Sequence, residues 1–423
     1  MAPILPLLAL LLVAILLVIV AARLRVPYTI ALVVLGVVIG WVAQHTALTG
    51  VASAARSLLT PTLFFDILLP PIVFEAAIHI DYRLLRKRAP LILFLVLTGV
   101  LFTTFFTGFL VSEVAVIPFA AAFLLAAILS PTDPIVVVEL FRRLKVPAEL
   151  STIVESASLL NDGVGVVLFV ILLGVAATGT IAFLPALAQF LWLSGGGVVI
   201  GVAVAAGAYA LHRWLDDAAV ETALSVVVAY GTYLGATALG TSGIVATAIA
   251  GIGVGAWVAP RAMRASVREA VMSFWRVVVY IVNSLVFLAM GLLLESTRVL
   301  DYLPLILLVF SVLFAGRALF VYAHYPLARL GQLAGRADRS LPRAWYGTIT
   351  FAGVRGVIPV VLALSLLTTS TALPSSTVRT IVSVVLGVAI VSILVNNLLE
   401  EWYVRRSFPP IEAPGEPAPS TSS

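Results

Sequence analysis

An all-α polytopic membrane protein is the fold class that this sequence predicts, and three observations carry the reading. Of the 423 residues, 62% are apolar and only 11% are charged, and the mean hydropathy of +1.16 lies far from the soluble average. Apolar runs of about 20 residues, each long enough to cross roughly 30 Å of hydrocarbon, recur as about thirteen spans with short polar connections. Basic residues, finally, collect on one side when successive loops are assigned alternately to the two faces of a membrane.

The same composition removes other classes. With no cysteine, disulfides, iron–sulfur clusters and thiolate zinc sites drop out, and four histidines scattered at span ends make no ligand cluster. No cofactor is expected. The net charge of +5 and the isoelectric point near 9.6 come from residues in short loops, which argues for orientation in lipid and against a nucleic-acid partner. No Gly-x-Ser-x-Gly or His-Glu-x-x-His motif occurs, so the chain is not expected to be an enzyme.

In chain order, residues 3–22 read as span one, because they lack the basic leader and small-residue cleavage site of a signal peptide. Arg23 and Arg25 follow, then span two at about 27–43, a loop with Arg56, and span three at about 58–80 carrying Pro70, Pro71 and Glu75. Pro131 and Pro134 interrupt span five, while Gly353, Gly356 and Pro359 interrupt span twelve. Paired interruptions in corresponding positions of two halves predict inverted repeats with two crossed discontinuous helices. One side of the membrane collects Arg23, Arg25, Arg83, Arg86, Lys87, Arg88, Arg142, Arg143, Lys145, Arg213, Arg261, Arg264 and Arg268. Arg329, Arg336, Arg339, Arg343, Arg405 and Arg406 join them, against only Arg56, Arg298 and Arg379 opposite. The crowded side is therefore cytoplasmic, with the N-terminus outside and the C-terminus inside. Residues 1–406 form the membrane domain, and 407–423, rich in Pro, Ser and Glu, are expected to be a short disordered cytoplasmic tail.

Two stretches hold polar groups at membrane depth. Ser130-Pro131-Thr132-Asp133-Pro134 sets a carboxylate between two prolines, where Asp is costly and helix backbone is broken. In span six a helical reading puts Glu155, Ser158 and Asp162 at i, i+3 and i+7, one stripe, with Asn161 beside Asp162. Desolvation of a carboxylate favours its protonated form and lets protons compete with a cation for the same oxygens, which makes Asp162 the first candidate for an ion site. Thr132 and Ser158 offer the oxygen ligands that small hard cations favour, although such residues also serve helix packing. Asp133 is placed to compensate the exposed amides of a half-helix. Arg317 and Arg355 lie inside spans and cannot shed their protons, so each needs an acidic or carbonyl partner; Asp133 is the expected partner of Arg355.

Thr132-Asp133-Pro134 followed by Ser158-Leu159-Leu160-Asn161-Asp162-Gly163 resembles the sodium/proton exchangers of the cation/proton antiporter superfamily, NhaP-type. Leu69-Pro70-Pro71-Ile72-Val73-Phe74-Glu75, Phe287-Leu288-Ala289-Met290-Gly291, Gly316-Arg317-Ala318-Leu319 and Gly353-Val354-Arg355-Gly356 extend the resemblance over nearly the whole chain. It implies an NhaA-like antiporter fold, with core spans at about 88–174 and 300–404, dimerisation spans at about 3–80 and 181–294, and a homodimer in a prokaryotic inner membrane. It implies exchange of Na+, or Li+, for H+ by alternating access, with Asp162, Asn161, Ser158, Thr132, Asp133 and Glu75 at the ion and proton site. Na+ would sit at Asp162, Ser158 and Thr132. Glu75 matches an acid that reaches the ion site in archaeal relatives, and reads equally as part of a cytoplasmic funnel that gathers cations. Asn161 ahead of Asp162 implies electroneutral one-for-one exchange, since relatives with two aspartates there are electrogenic. A K+/H+ antiporter of the same fold, or a cation channel or sensor without proton coupling, are the alternatives.

The sequence departs from the family pattern at one place. Arg317 matches an arginine that pairs, in the family, with a glutamate five residues before the ion-binding aspartate, and that position is Ala157 here. The nearest acid, Glu155, is rotated by about 200° and displaced by about 3 Å along the helix. Arg317 is expected either to reach Glu155 or to take another partner such as Asp162; Glu155 is otherwise satisfied by water or by Arg142, Arg143 or Lys145.

Overall fold

The computed structural model describes residues 11–17, 19, 23, 28–45, 60–115, 117–180, 182–294, 299–333, 341–369 and 373–408. Among them every regular element is helical. The loops carrying Arg25, Arg56, Arg298, Arg336 and Arg339, the tail beyond residue 408 and most of the expected first span lie outside the described residues.

The helices are α1 (Tyr28–His45), α2 (Pro61–Ile78), α3 (Tyr82–Val114), α4 (Phe119–Ile128), α5 (Ile135–Leu144), α6 (Ala148–Thr178) and α7 (Phe183–His212). They continue with α8 (Ala218–Ala238), α9 (Gly243–Arg261), α10 (Ala265–Leu294), α11 (Leu303–Leu333), α12 (Arg343–Phe351), α13 (Val357–Thr369) and α14 (Ser375–Ser407). Nine helices among the described residues are long and apolar enough to cross a membrane; α1 and the halves of the two broken spans are shorter.

Local chemistry sets the boundaries. Asp81 accepts from the backbone N–H of Arg83 and Leu84 at the start of α3, and Asp217 from those of Ala219 and Val220 at the start of α8, both N-caps. At the end of α6, Gly179 takes a left-handed φ of 68°, the usual glycine stop. Pro70-Pro71 in α2 and Pro260 in α9 each follow a widened turn, Phe64–Leu68 and Val254–Val258, because a proline ring displaces the carbonyl one turn earlier.

Two sets of helices pack among themselves. One comprises α3, α4, α6, α11 and α14 with the halves α5, α12 and α13; the other comprises α1, α2 and α7 to α10. Small residues let backbones touch in the second set: Gly36 of α1 lies against the backbone of Leu288 and Gly291 in α10, and Gly201 of α7 against Ala246 of α9. A side apolar cluster around Phe74 and Trp275, ring centroids 5.0 Å apart, joins α2, α7, α8, α9 and α10. The two interrupted spans, α4/α5 and α12/α13, meet at their breaks.

Candidate functional site

The first break covers the residues between α4 and α5. Pro131 and Pro134 have no N–H to give, so the chain cannot run on as helix, and the free amide at the start of α5 needs an acceptor. Asp133 supplies it: its carboxylate accepts from the Ile135 N–H at 2.8 Å. Its own N–H donates to the Val354 carbonyl of the second break at 2.8 Å, which ties the two crossings together. Gly356 lies so close to the Asp133 side chain that a Cβ at that position would overlap it.

Thr132 reaches across to α6. Its hydroxyl shares a 3.0 Å hydrogen bond with that of Ser158 and accepts from the Asn161 side-chain amide at 3.4 Å. All three residues are buried. Asp162, only 8% exposed, makes no hydrogen bond or ion pair among the described residues. It faces a cavity of about 340 Å³ that Thr132, Asp133 and Glu75 also line. The structure thus brings Thr132, Asp133, Asp162 and Glu75 to one space, reaches Ser158 and Asn161 through Thr132, and puts the charges of Asp133 and Asp162 within reach of one another.

The same cavity is also lined by Glu139, Arg142, Arg276, Tyr280 and Asn283. Glu75 holds His79 at 3.3 Å. Sequence reasoning missed Glu139, Arg276 and Asn283. Arg276, Tyr280 and Asn283 fall at i, i+4 and i+7 inside an apolar run, a stripe that was readable; Glu139 was obscured by the basic pair three and four residues on.

The arginines turn the other way. The Arg355 guanidinium donates to the Gly353 carbonyl at 2.6 Å, and its backbone N–H donates to the Ser392 hydroxyl at 2.9 Å. The expected pairing with Asp133 is absent: no carboxylate lies within ion-pair distance of Arg355 among the described residues, because Asp133 is engaged at the start of α5 and against Gly356. Arg317 donates from Nε to the Ile349 carbonyl in the last turn of α12 at 3.0 Å. Neither acid proposed for it is its partner. Glu155 accepts from the Ser151 hydroxyl at 3.4 Å, and the charges acting on it are Arg142 and Glu75. The acid whose charge acts on Arg317 is Glu400 of α14, which sequence reasoning also missed. Asn396, Asn397 and Glu400 at i, i+1 and i+4 near the end of an apolar run were the available signal.

Residues 8–405 match the family model described as "Sodium/hydrogen exchanger, transmembrane". The chain is 31% identical over 386 residues to the Na(+)/H(+) antiporter ApNhaP of Aphanothece halophytica, covering 90% of this chain and 70% of that protein. It is 31% identical over 356 residues to the Na(+)/H(+) antiporter NhaP of Pseudomonas aeruginosa, covering 80% of each. The structure of the sodium proton antiporter MjNhaP1 from Methanocaldococcus jannaschii at pH 8 superposes with a TM-score of 0.79 at 22% identity, over 96% of this chain and 97% of that one, and so has the same fold.

Proposed function

The chain belongs to the sodium/hydrogen exchanger family and exchanges Na+ for H+ across a membrane, and from that premise we propose that Asp162 is the group for which the two ions compete. One observation carries the reading: a buried carboxylate without a protein partner faces a cavity beside the Thr132 hydroxyl. Such a group is costly to leave charged and alone, so it takes up either a cation or a proton. A cation is held by the Asp162 carboxylate and oxygens of Thr132 and Ser158, a donor set suited to a small hard ion. A proton neutralises the same carboxylate and removes the cation's counter-charge. Asn161 cannot titrate, so one proton moves per Na+ and the exchange is electroneutral. No cofactor enters the cycle.

Asp133 stays at the head of α5 and tunes the field at the site. Glu75 and Glu139 draw cations into the cavity, which Arg142 of the basic, cytoplasmic side also lines; on this reading the cavity opens to the cytoplasm, with the N-terminus outside and the C-terminus inside. The set containing α3 to α6 and α11 to α14 rocks against α1, α2 and α7 to α10, the latter set pairing in a homodimer of a prokaryotic inner membrane. A K+/H+ antiporter is not favoured, since the relatives carry Na+ in their names.

The test uses purified protein in liposomes with an imposed pH gradient, following lumenal pH after addition of Na+, K+ or Li+, with and without a valinomycin-clamped potential. Na+-driven proton movement that ignores the potential and is lost in Asp162→Asn is the expected result. Cation flux without proton movement would favour a channel and overturn the proposal. Exchange retained in Asp162→Asn would move the site elsewhere.

A further inference from the structure

We propose that Glu400 is the counter-charge of Arg317, a positioning residue that holds the second break in register with the ion site. Three observations carry this. Glu400 is fully buried, and neither of its carboxylate oxygens has a hydrogen-bond partner. Burying a carboxylate in that condition is costly unless an opposite charge stands near it, and the cation acting on it is Arg317. Arg317 and Arg355 line the same small cavities, feel each other's charge and cannot shed their protons, so this side of the crossing holds two cations and needs an acid.

The geometry connects this cluster to the ion site in two steps. Arg317 and Arg355 both hold carbonyls of the second break, Ile349 and Gly353, and Asn396, one turn before Glu400 on α14, donates to the same Gly353 carbonyl at 3.0 Å. The second break in turn gives its Val354 carbonyl to the N–H of Asp133. Glu400 therefore acts through Arg317 on the position of Asp133 and its neighbour Thr132, without touching a transported ion. Ala157 and Asn161 of α6 line a cavity of about 40 Å³ together with Arg317 and Arg355. A carboxylate introduced at position 157 would enter the cavity that Arg317 and Arg355 line.

That placement supplies the experiment, which rests on the exchange activity proposed above. Wild type, Glu400→Gln, Ala157→Glu/Glu400→Gln and Arg317→Gln/Glu400→Gln are reconstituted in liposomes, and the apparent KM for Na+, the maximal exchange rate per folded protein and the melting temperature are measured. Glu400→Gln is expected to raise the KM for Na+ or lower the rate at least tenfold, and the carboxylate at 157 to return both to within threefold of wild type. If Glu400→Gln alone does not fold, either double variant is expected to restore folded protein, by resupplying the acid or by removing a cation. Wild-type KM and rate in folded Glu400→Gln, even with a lower melting temperature, would overturn the proposal by making the role structural only. So would failure of both double variants to recover what the single change loses. Absence of exchange in the wild type would instead strike the antiport reading and is read separately.

Discussion

The two broken spans have the same shape and opposite electrostatics. At the first, between α4 and α5, the unmet need is an acceptor for the amide that opens the second half-helix, and an aspartate meets it. At the second, between α12 and α13, the unmet need is a set of donors for the carbonyls that close the first half-helix, and Arg317, Arg355 and Asn396 meet it. A helix interruption always frees both kinds of group. Which kind the side chains satisfy decides the sign of the charge stored there, and the cavity with Asp162 is lined at the first break by Asp133 and at the second by Gly356 to Pro359, without Arg317 or Arg355. The two breaks are tied to one another by the Asp133–Val354 hydrogen bond.

The comparison can be broken most severely at its point of contact. Gly356→Ala drives a methyl group into Asp133, with an expected destabilisation of about 1–3 kcal/mol by overpacking and loss of exchange; a variant with wild-type melting temperature and exchange would show that the two breaks are not in mechanical register. Asp133 separates capping from charge. Asp133→Ala should cost about 1 kcal/mol of stability through the lost cap and at least a tenfold loss of exchange, whereas Asp133→Asn keeps an acceptor for Ile135 and should melt close to wild type while still losing exchange. Equal melting temperatures for the Ala and Asn variants would refute the capping role.

Proton and cation competition should belong to the acidic side alone. Where the protonated form dominates, the apparent KM for Na+ is expected to rise about tenfold per unit fall in pH, as one proton displaces one cation. A KM independent of pH would mean separate sites. The smallest effect is expected at the basic break: Ser392→Ala removes the acceptor of the Arg355 backbone N–H, costing about 0.6–1 kcal/mol with exchange within twofold and the pH dependence of KM unchanged. A shifted pH dependence there would place Arg355 in the ion path.

Much of this was legible in the chain because its causes are local. Length of an apolar run reports a membrane crossing, and Pro131, Pro134, Gly353 and Gly356 report interruptions, since ring geometry and missing side chains act within a turn. The stripe of Ser158 and Asp162 likewise follows from helical period. Ala157 announced that the usual partner of Arg317 was missing, but nothing local pointed to a residue more than eighty positions further along the chain.

The sequence by itself therefore determined the class, the breaks and the buried acid proposed as the ion site, because hydrophobicity and backbone chemistry are properties of a residue and its neighbours in the chain. The tertiary structure decided which groups act on which: Arg355 bonded to Gly353 and not to Asp133, Glu155 under the charge of Arg142, Glu139 and Arg276 brought into one cavity, and Arg317 under the charge of Glu400. A helical stripe fixes the direction of a side chain only relative to its own axis, and it takes the packing of other helices to put a charge there.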